Sequence, residues 1–464
     1  MLKKEEPQQA EWEFVTIESL VPGDHLLRKI DRCIDFSFIH ERVSHLYCAD
    51  NGRPALDPTL LFKALFIGYL FGIRSERALM REIEVNVAYR WFLRLGLTEQ
   101  VPDASTISQN RRRRFNGTGV HQEIFDEIVL QALNAGLVEG HVIYTDSTLL
   151  KANANRERFD LATVEKARGA YWDDLERAID EDRLAHGKKP LADGPREAKT
   201  KEARVSRTDP DAGYIAREDK PRGFYYLDHR SVDSRHSIIT DSHVTPATVH
   251  DSIPYLERLD RQRARFDLNV CAVGLDGGYA TTSIARGLEE RKIIGVTPYI
   301  RPSTRKGFLR RREFGYDSQQ DAYVCPEGQV LKYARTDKEG YRHYKSNAGI
   351  CAVCPLRESC IPGSGKIKSV TRHIWHESRE RADSHRSTPW GKNIYARRKE
   401  TVERSFADAK QLHGHRYARM RGIEKVREQC LLAAASQNMK KIAIELTRAR
   451  SFLCAPPRGS PQAA

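Results

Sequence analysis

Three acidic residues, each in a segment of distinct character, have the chemistry to hold divalent metal ions. Asp146 follows the β-branched and aromatic run VIYT, Asp276 follows the apolar run CAVGL, and Glu403 lies in a predicted helix over 393–412. Ligand sites of sheets with helical crossovers collect at the carboxyl ends of strands, where we expect both aspartates. Three carboxylates can hold two Mg²⁺ (or Mn²⁺) ions about 3.5 to 4 Å apart, the arrangement that cleaves and transfers phosphodiesters. Asp146, Asp276 and Glu403 are therefore candidate catalytic metal ligands.

Basic residues surround the third acid. Residues 391–430 contain 11 Lys or Arg against five Asp or Glu. Lys410 lies seven residues after Glu403 on the same predicted helical face, and we expect it to grip a phosphate near the reacting bond. Arg398 and Lys399, just before Glu403, are candidate DNA contacts. The alternative for this segment is a solvated helical face without a ligand.

A second aspartate-containing motif precedes the strand of Asp276. His250 and Asp251 stand in VTPATVHDS. Two interpretations stay open at this point: the pair lies near the metal site, or it forms a helix N-cap with an ordinary histidine beside it.

Four cysteines form a possible structural metal site. Cys351 and Cys354 make a C-x-x-C pair, Cys360 follows within one loop, and Cys325 lies upstream in YVCPEG. Four thiolates suit tetrahedral Zn²⁺, and His373 or His376 could substitute for one of them. Since no second C-x-x-C is present, reduced and uncoordinated thiols remain the alternative.

Composition favours an intracellular protein with a polyanionic partner. The chain has 464 residues, a net charge of +14 and a pI near 9.3. This charge indicates nucleic acid, although many soluble proteins are basic without binding it. We expect no membrane span, no secretory signal, and a cytoplasmic, nucleoid-associated location. Nine cysteines in such a protein argue against a disulfide framework.

The elements expected to position these residues fall into an all-helical part and an α/β part. Residues 1–120 predict a helical N-terminal DNA-binding domain, with one helix beginning at Asp57-Pro58 and another spanning 75–95. A third helix carries four consecutive arginines that we expect to contact DNA, although a bundle with a solvated arginine run is the alternative; they are Arg111, Arg112, Arg113 and Arg114.

The rest of the chain predicts a mixed α/β core with one excursion and one insertion. Residues 141–300 give the succession strand, strand, strand, helix, strand, helix, strand, interrupted by a charged excursion over 150–222. Residues 301–390 form an inserted segment with a basic run and the cysteines. Residues 391–450 complete the core with the helix of Glu403 and a long helix near 423–447.

Three sequence blocks resemble those of bacterial insertion-sequence DDE transposases. The blocks are TDSTLLKANAN around Asp146, GLDGGYAT around Asp276 and RKETVERSFADAK around Glu403. The segment RPALDPTLLFKALFIGYLFGIRSERALMREI with PDASTISQNRRRR resembles the InsH-type N-terminal transposase domain, and VTPATVHDS is similar to the family's segment before the second acid. One departure is that Lys399 occupies the place of an arginine four residues before the glutamate, while Arg398 is displaced by one.

The resemblance implies an RNase H-like mixed sheet flanked by helices, with an all-helical N-terminal domain and a small cysteine-containing insertion before the last catalytic helix. It implies binding of terminal inverted repeats, cleavage that frees 3′-hydroxyls at the element's ends, and their attack on target DNA by a homodimer in a synaptic complex. Two alternatives share much of this prediction: a site-specific endonuclease of the same fold, and a non-catalytic DNA-binding protein derived from a transposase.

Overall fold

A computed structural model describes residues 14–48, 55–165, 171–191, 200–216, 222–300 and 305–453, with side chains up to residue 449. Residues 1–13 of the predicted N-terminal domain and Arg301 of the basic run lie outside these ranges. Within them the chain is a mixed α/β protein with a helical N-terminal region. No described helix has the length and apolar character needed to cross a membrane.

Eight α-helices lie in the described part of the N-terminal region. They are α1 (Ile17–Leu20), α2 (Leu26–Cys33), α3 (Ser37–Val43), α4 (Pro58–Leu70), α5 (Glu76–Val85), α6 (Val87–Phe92), α7 (Ala104–Asn110) and α8 (Val120–Asn134). The predicted start of α4 is confirmed, because the Asp57 carboxylate accepts a hydrogen bond from the Thr59 amide at 2.9 Å and Pro58 takes the first helical position. The single helix predicted over 75–95 is wrong: Asn86 ends α5 and its side chain caps α6 by accepting from the Tyr89 amide.

The middle of the chain contains the main sheet. Its elements are β1 (Val142–Lys151), β2 (Phe159–Glu165), α9 (Trp172–Ala185), β3 (Thr200–Ser206), β4 (Gly213–Ile215), β5 (Gly223–Asp233), β6 (Ile239–Pro246), α10 (Tyr255–Phe266), β7 (Ala272–Leu275), α11 (Thr282–Glu290) and β8 (Ile294–Val296). The sheet order is β6-β5-β1-β7-β8, with β4 pairing β5 beyond the end of β6. Strands β1, β7 and β8 are parallel, and β5 is antiparallel to β1. The predicted succession of β1, β5, β6, α10, β7, α11 and β8 is confirmed.

The register of the sheet brings two acids together. Strands β1 and β7 pair from Val142 with Ala272 to Thr145 with Leu275, so Asp146 and Asp276 are the next residue on each strand. The expectation that Asp146 ends its strand is wrong, since β1 continues to Lys151 through its pairing with β5. Asp146 lies instead at the point on β1 where its pairing with β7 stops.

The last third of the chain contains the insertion and the final helices. Its elements are β9 (Gly315–Asp317), β10 (Ala322–Val324), β11 (Val330–Thr336), β12 (Tyr341–Lys345), α12 (Ala348–Ala352), α13 (Arg357–Cys360), β13 (Ser369–His373), α14 (His376–Ser387), α15 (Pro389–Arg397), α16 (Val402–Leu412) and α17 (Ile423–Leu453). Strands β9 to β13 form an antiparallel sheet with its own small core. The helix predicted over 393–412 is interrupted: residues 398–401 form a turn between α15 and α16.

One hydrophobic core unites the N-terminal helices with the main sheet. Buried residues of this core extend from Val21 through Phe66 and Ile143 to Ala443. Helix α17 joins the two parts because it packs against α2, α4 and α8 on one side and β6 on the other.

Candidate active site

The three predicted acids surround one arginine. Arg398 lies in the turn between α15 and α16, and its side chain is only 3% exposed. Its Nη2 lies 2.8 Å from Asp146 Oδ2, and its Nη1 lies 3.4 Å from Asp276 Oδ1 and 3.8 Å from Glu403 Oε1. Carboxylates from β1, from the end of β7 and from α16 therefore converge on a single guanidinium.

The turn that presents Arg398 is fixed by its own backbone. The Glu403 amide donates to the Arg398 carbonyl at 3.1 Å, and the Thr401 hydroxyl donates to the Arg397 carbonyl at 2.8 Å. The ring of Tyr395 lies 5.5 Å from the guanidinium carbon of Arg398, a cation–π distance. The break in the predicted helix is thus what points Arg398 and Glu403 to the same place.

The acids differ in exposure. Burial raises the pKa of Asp146 to about 6, with Arg398 acting in the opposite direction and the charges of Asp276 and Asp251 adding to the rise. The side chains of Asp276 and Glu403 are 53% and 45% exposed. The site is therefore closed around Asp146 and open to a substrate beside the other two acids.

A fourth carboxylate supports the first. Ser147 donates its backbone N–H to Asp146 Oδ1 and its hydroxyl to Asp251 Oδ1, each at 2.7 Å. A Cβ at Gly278 would lie 2.9 Å from Asp251 Oδ2, so a larger residue there would displace the Asp251 carboxylate. His250 Nδ1 meanwhile lies 2.8 Å from the Ser252 hydroxyl oxygen, in the turn before α10. The alternative of a helix N-cap at this pair is wrong, because the N-cap of α10 is Pro254. Asp251 thus lies beside the site, and the VTPATVHDS motif was the signal for it.

The predicted cations take different positions. Lys410 donates to the hydroxyl of Thr148, two residues beyond Asp146 on β1, and burial lowers its pKa. Lys399 is exposed. Arg398 is buried among the acids rather than on the surface.

The four consecutive arginines form a π-helical turn after α7. Arg111 pairs with Glu76 and approaches Glu428, and Arg114 bonds Asn110 and lies over the ring of Tyr47. Arg112 and Arg113 are exposed. A cleft of about 1370 Å³ lies beside this turn, lined by α5, α7 and the segment before α17, and its arginines are Arg74, Arg77, Arg81, Arg90, Arg111, Arg112 and Arg419.

Sequence reasoning missed a buried polar cluster beneath the site. Asp228, His415 and Cys430 place three potential metal-ligand atoms within 4.8 Å of one another. However, Asp228 Oδ2 already accepts hydrogen bonds from His415 Nε2 and from Arg230 Nε, both at 2.9 Å. Asp228 Oδ1 accepts from the Ser242 hydroxyl at 3.3 Å, and burial raises the pKa of the Cys430 thiol, which keeps its proton. Since both carboxylate oxygens are engaged in the interior and the thiol is protonated, we interpret the cluster as an ion-pair network that ties β5 to the loop after α16.

The four predicted zinc ligands approach one another in the insertion. The pKa of the Cys360 thiol is raised by burial and by the neighbouring thiols of Cys351, Cys354 and Cys325. The Gln329 amide donates to Cys325 Sγ at 3.4 Å, in a tight turn closed by Gly328. Among the described residues these sulfurs do not reach the 4.8 Å mutual spacing of the buried cluster.

The histidines considered as substitutes have other neighbours. The ring of His373 packs against Tyr341 and Trp375, and His376 faces Glu380 and Arg311. Their pKa values, both lowered to about 4 chiefly by burial, keep them neutral.

Two family models match the chain. A transposase domain (DUF772) matches residues 15–113, and a transposase DDE domain matches residues 324–443. Both matched segments thus resemble transposase domains. More narrowly, both matches support an insertion-sequence DDE transposase, which confirms the resemblance noted in the sequence. The DDE match includes Glu403, Lys410 and the four cysteines, whereas Asp146 and Asp276 lie outside both matches.

Other comparisons add little. Among solved structures, the cryo-EM structure of the piggyBac transposase synaptic complex with hairpin DNA matches at 11% identity, over 93% of this chain and 82% of that chain, with a TM-score of 0.32. A TM-score this low does not indicate a shared fold. No curated protein matches the chain.

Proposed function

We propose that this DDE transposase binds the terminal inverted repeats of its element, cuts DNA at their ends and joins the freed 3′-hydroxyls to target DNA, with Asp146, Asp276 and Glu403 as its metal ligands. The observation that carries the proposal is the convergence of these three acids, from three separate elements, on Arg398. The succession of strands and helices in the main sheet supports an RNase H-like core.

The donor set fits divalent metal. DDE transposases use such ions, and Mg²⁺ or Mn²⁺ prefers hard oxygen ligands and keeps sites open to substrate phosphates. The three carboxylates already enclose one positive group, and two of them are half exposed. Bound metal would activate the attacking hydroxyl and stabilise the leaving oxygen.

The remaining residues position these acids and the substrate. Ser147 orients the carboxylate of Asp146 and links it to Asp251. Lys410, held by Thr148 on β1, is placed to grip a phosphate beside the reacting bond. Arg398 keeps the acids together by balancing part of their charge.

A joining assay tests the proposal. Purified protein is incubated with Mg²⁺, a target plasmid and labelled DNA that carries the element's ends, and wild type is compared with Asp146→Asn, Asp276→Asn and Glu403→Gln. Glu400→Gln is the matched control, because Glu400 is an exposed acid of the same turn. We expect joined products from wild type and the control alone.

Other results would favour the alternatives. Cleavage without joining would indicate a site-specific endonuclease, and DNA binding without either reaction a non-catalytic DNA-binding protein. Joining by all three triad variants would show that the metal ligands are elsewhere.

We further propose DNA as the partner of the N-terminal region, through the exposed Arg112 and Arg113 and the arginine-lined cleft. Because an element has two ends, we propose a homodimer in the synaptic complex. The four cysteines, as neighbouring thiols in a small sheet, are proposed to bind a structural Zn²⁺.

A further inference from the structure

An exposed tyrosine is held rigidly beside the catalytic strand. Tyr417 lies in the loop between α16 and α17 and is 45% exposed. The Lys151 amide donates to the Arg416 carbonyl at 3.2 Å, and the Ala418 amide donates to the Lys151 carbonyl at 2.8 Å. Tyr417 therefore pairs with the last residue of β1 like a short parallel strand. An aromatic ring kept in the solvent by two backbone hydrogen bonds has little conformational freedom to lose on binding.

Cations surround this ring. The guanidinium carbon of Arg74 lies 5.1 Å from the ring centroid, and Lys151 Nζ lies 5.8 Å from it. Arg416 and Arg421, in the same loop, are exposed. The patch formed by Tyr417, Arg74, Lys151 and Arg416 combines a half-exposed aromatic ring with positive charge, which suits a base and its flanking phosphates.

The neighbouring Arg419 faces the other way and fixes the loop. Its guanidinium lies 4.0 Å from the ring centroid of the buried Tyr69 and donates to the Gly68 carbonyl. His413 Nδ1 lies 3.1 Å from the carbonyls of Tyr69 and Leu70 at the end of α4. The loop that carries Tyr417 is thus anchored to the N-terminal helices.

The patch adjoins the arginine-lined cleft, because Arg74 also lines that cleft. Lys151 lies five residues beyond Asp146 on β1, or roughly 16 Å along the strand, and side chains an odd number of residues apart project from opposite faces of a sheet. The patch is therefore separate from the acids, and DNA bound in the cleft would lie beside Tyr417.

We propose that Tyr417 stacks on an unpaired base of DNA bound along the arginine-lined cleft, while Arg74 and Lys151 contact the adjoining phosphates. The proposal rests on the function above in taking DNA as the substrate. Stacking of this kind accepts any base, because each base offers a π-face. The patch therefore positions the strand without reading its sequence.

Equilibrium binding without divalent metal tests the proposal separately from catalysis. Fluorescence anisotropy measures the Kd of the full chain for a labelled 12-nucleotide oligo(dT) and for an abasic strand of the same length and charge. We expect wild type and Tyr417→Phe to bind oligo(dT) about tenfold more tightly than the abasic strand, and Tyr417→Ala to bind both alike. Tyr341→Ala, at an exposed tyrosine of the insertion sheet, is the matched control and should behave as wild type.

Substitution of the cations should have a different effect on binding from substitution of the tyrosine. Lys151→Ala and Arg74→Ala should weaken the binding of both strands equally and lower the slope of log K against log salt by about 0.7 for each phosphate that is no longer neutralised. Equal affinity of wild type for the two strands, or retained preference in Tyr417→Ala, would overturn the proposal. Failure of the proposed function would give a different result: wild type would not join DNA in the joining assay, yet it would still bind oligo(dT) more tightly than the abasic strand.

Discussion

Arg398 shows how one residue can hold the three carboxylates of a proposed catalytic site together. Three carboxylates placed side by side repel one another, and the buried guanidinium offsets this repulsion through contacts of 2.8 to 3.8 Å. The local sequence gives no sign of this role, because its partners Asp146 and Asp276 lie 252 and 122 residues away. The sequence around Glu403 alone indicates only that Arg398 is displaced by one residue from the arginine of the family pattern, and that it contacts phosphate.

Substitution of Arg398 should destabilise the metal-free protein selectively. Removing one partner of a buried ion pair costs about 3 to 5 kcal/mol, and because two of the acids are half exposed we expect about 1 to 3 kcal/mol for Arg398→Gln. Added Mn²⁺ should restore more stability to this variant than to wild type, since it supplies the missing positive charge. Urea unfolding with and without Mn²⁺ measures both effects.

The control for this prediction is the adjacent Arg397→Gln. Arg397 donates to the Ser234 carbonyl at 2.6 Å and has no contact with the acids in the described structure. If the two variants respond to Mn²⁺ alike, Arg398 does not act as the counter-ion of the site.

Glu428 on α17 should make stability depend on pH. It is buried near Arg111 and His121, and burial raises its pKa to about 7 from an ordinary value of 4.5. The folded state therefore binds the proton more tightly than the unfolded state, so its contribution to stability is highest below pH 4.5 and falls as the pH rises to about 7. Because glutamine cannot ionise, Glu428→Gln should exceed wild type by about 1 to 3 kcal/mol at about pH 8 and match it near pH 4.5.

Unfolding in urea at several pH values measures this difference. Glu202→Gln, at an exposed acid of β3, should keep the wild-type dependence. Parallel curves for wild type and Glu428→Gln would contradict the prediction.

At the scale of elements, the site depends on the contact between β1 and β7. Gly274 lies two residues before Asp276, and a Cβ there would lie 2.6 Å from the ring of Tyr144 on β1. Gly274→Ala should push the strands apart, lower stability by about 1 to 3 kcal/mol and reduce joining by about tenfold or more through misplacement of Asp276. Gly315→Ala, where a Cβ meets open space, is the control.

Urea unfolding and the joining assay together measure this prediction. A Gly274→Ala protein that is destabilised yet joins DNA at the wild-type rate would show that the spacing of the two strands does not set the geometry of the acids.

Elements are predictable from sequence where local patterns decide them. Apolar runs such as CAVGL and the cap at Asp57 identify strands and a helix start, which the structure confirms. Breaks in helices at Asn86 and at Arg398 are missed, because a side-chain cap or a contact with distant acids outweighs local helix propensity there. The continuation of β1 to Lys151 is missed for a similar reason, since its partner β5 is distant in sequence.

At the scale of the whole molecule, the insertion is expected to unfold as a unit separate from the rest of the described chain, because it has a core of its own. The N-terminal helices and the main sheet share one core, whereas the insertion has a separate one around Phe314, Leu331 and Tyr344. The proposed zinc ligands all belong to this second unit. Below the size at which a core suffices, a metal supplies much of a small unit's stability.

Zinc removal should therefore unfold the insertion first. The purified protein should contain about one Zn²⁺ per chain, and Cys354→Ser or a chelator should create a low-temperature transition in calorimetry while the main transition stays in place. Cys271→Ser, at an exposed cysteine on the main sheet, is the control. A metal-free wild type with a single transition would leave the cysteines as ordinary thiols.

The excursion over 150–222 and the insertion over 301–390 contact each other. Helix α9 of the excursion buries Leu175 and Ile179. Its Asp182 accepts hydrogen bonds from Thr336 and Arg342 of the insertion sheet. His186, just after α9, bonds Asp321 at 2.7 Å. Deletion of the insertion alone would therefore expose Leu175 and Ile179 of α9 and leave Asp182 without its partners in the insertion. A shortened chain would have to lose both segments or keep both.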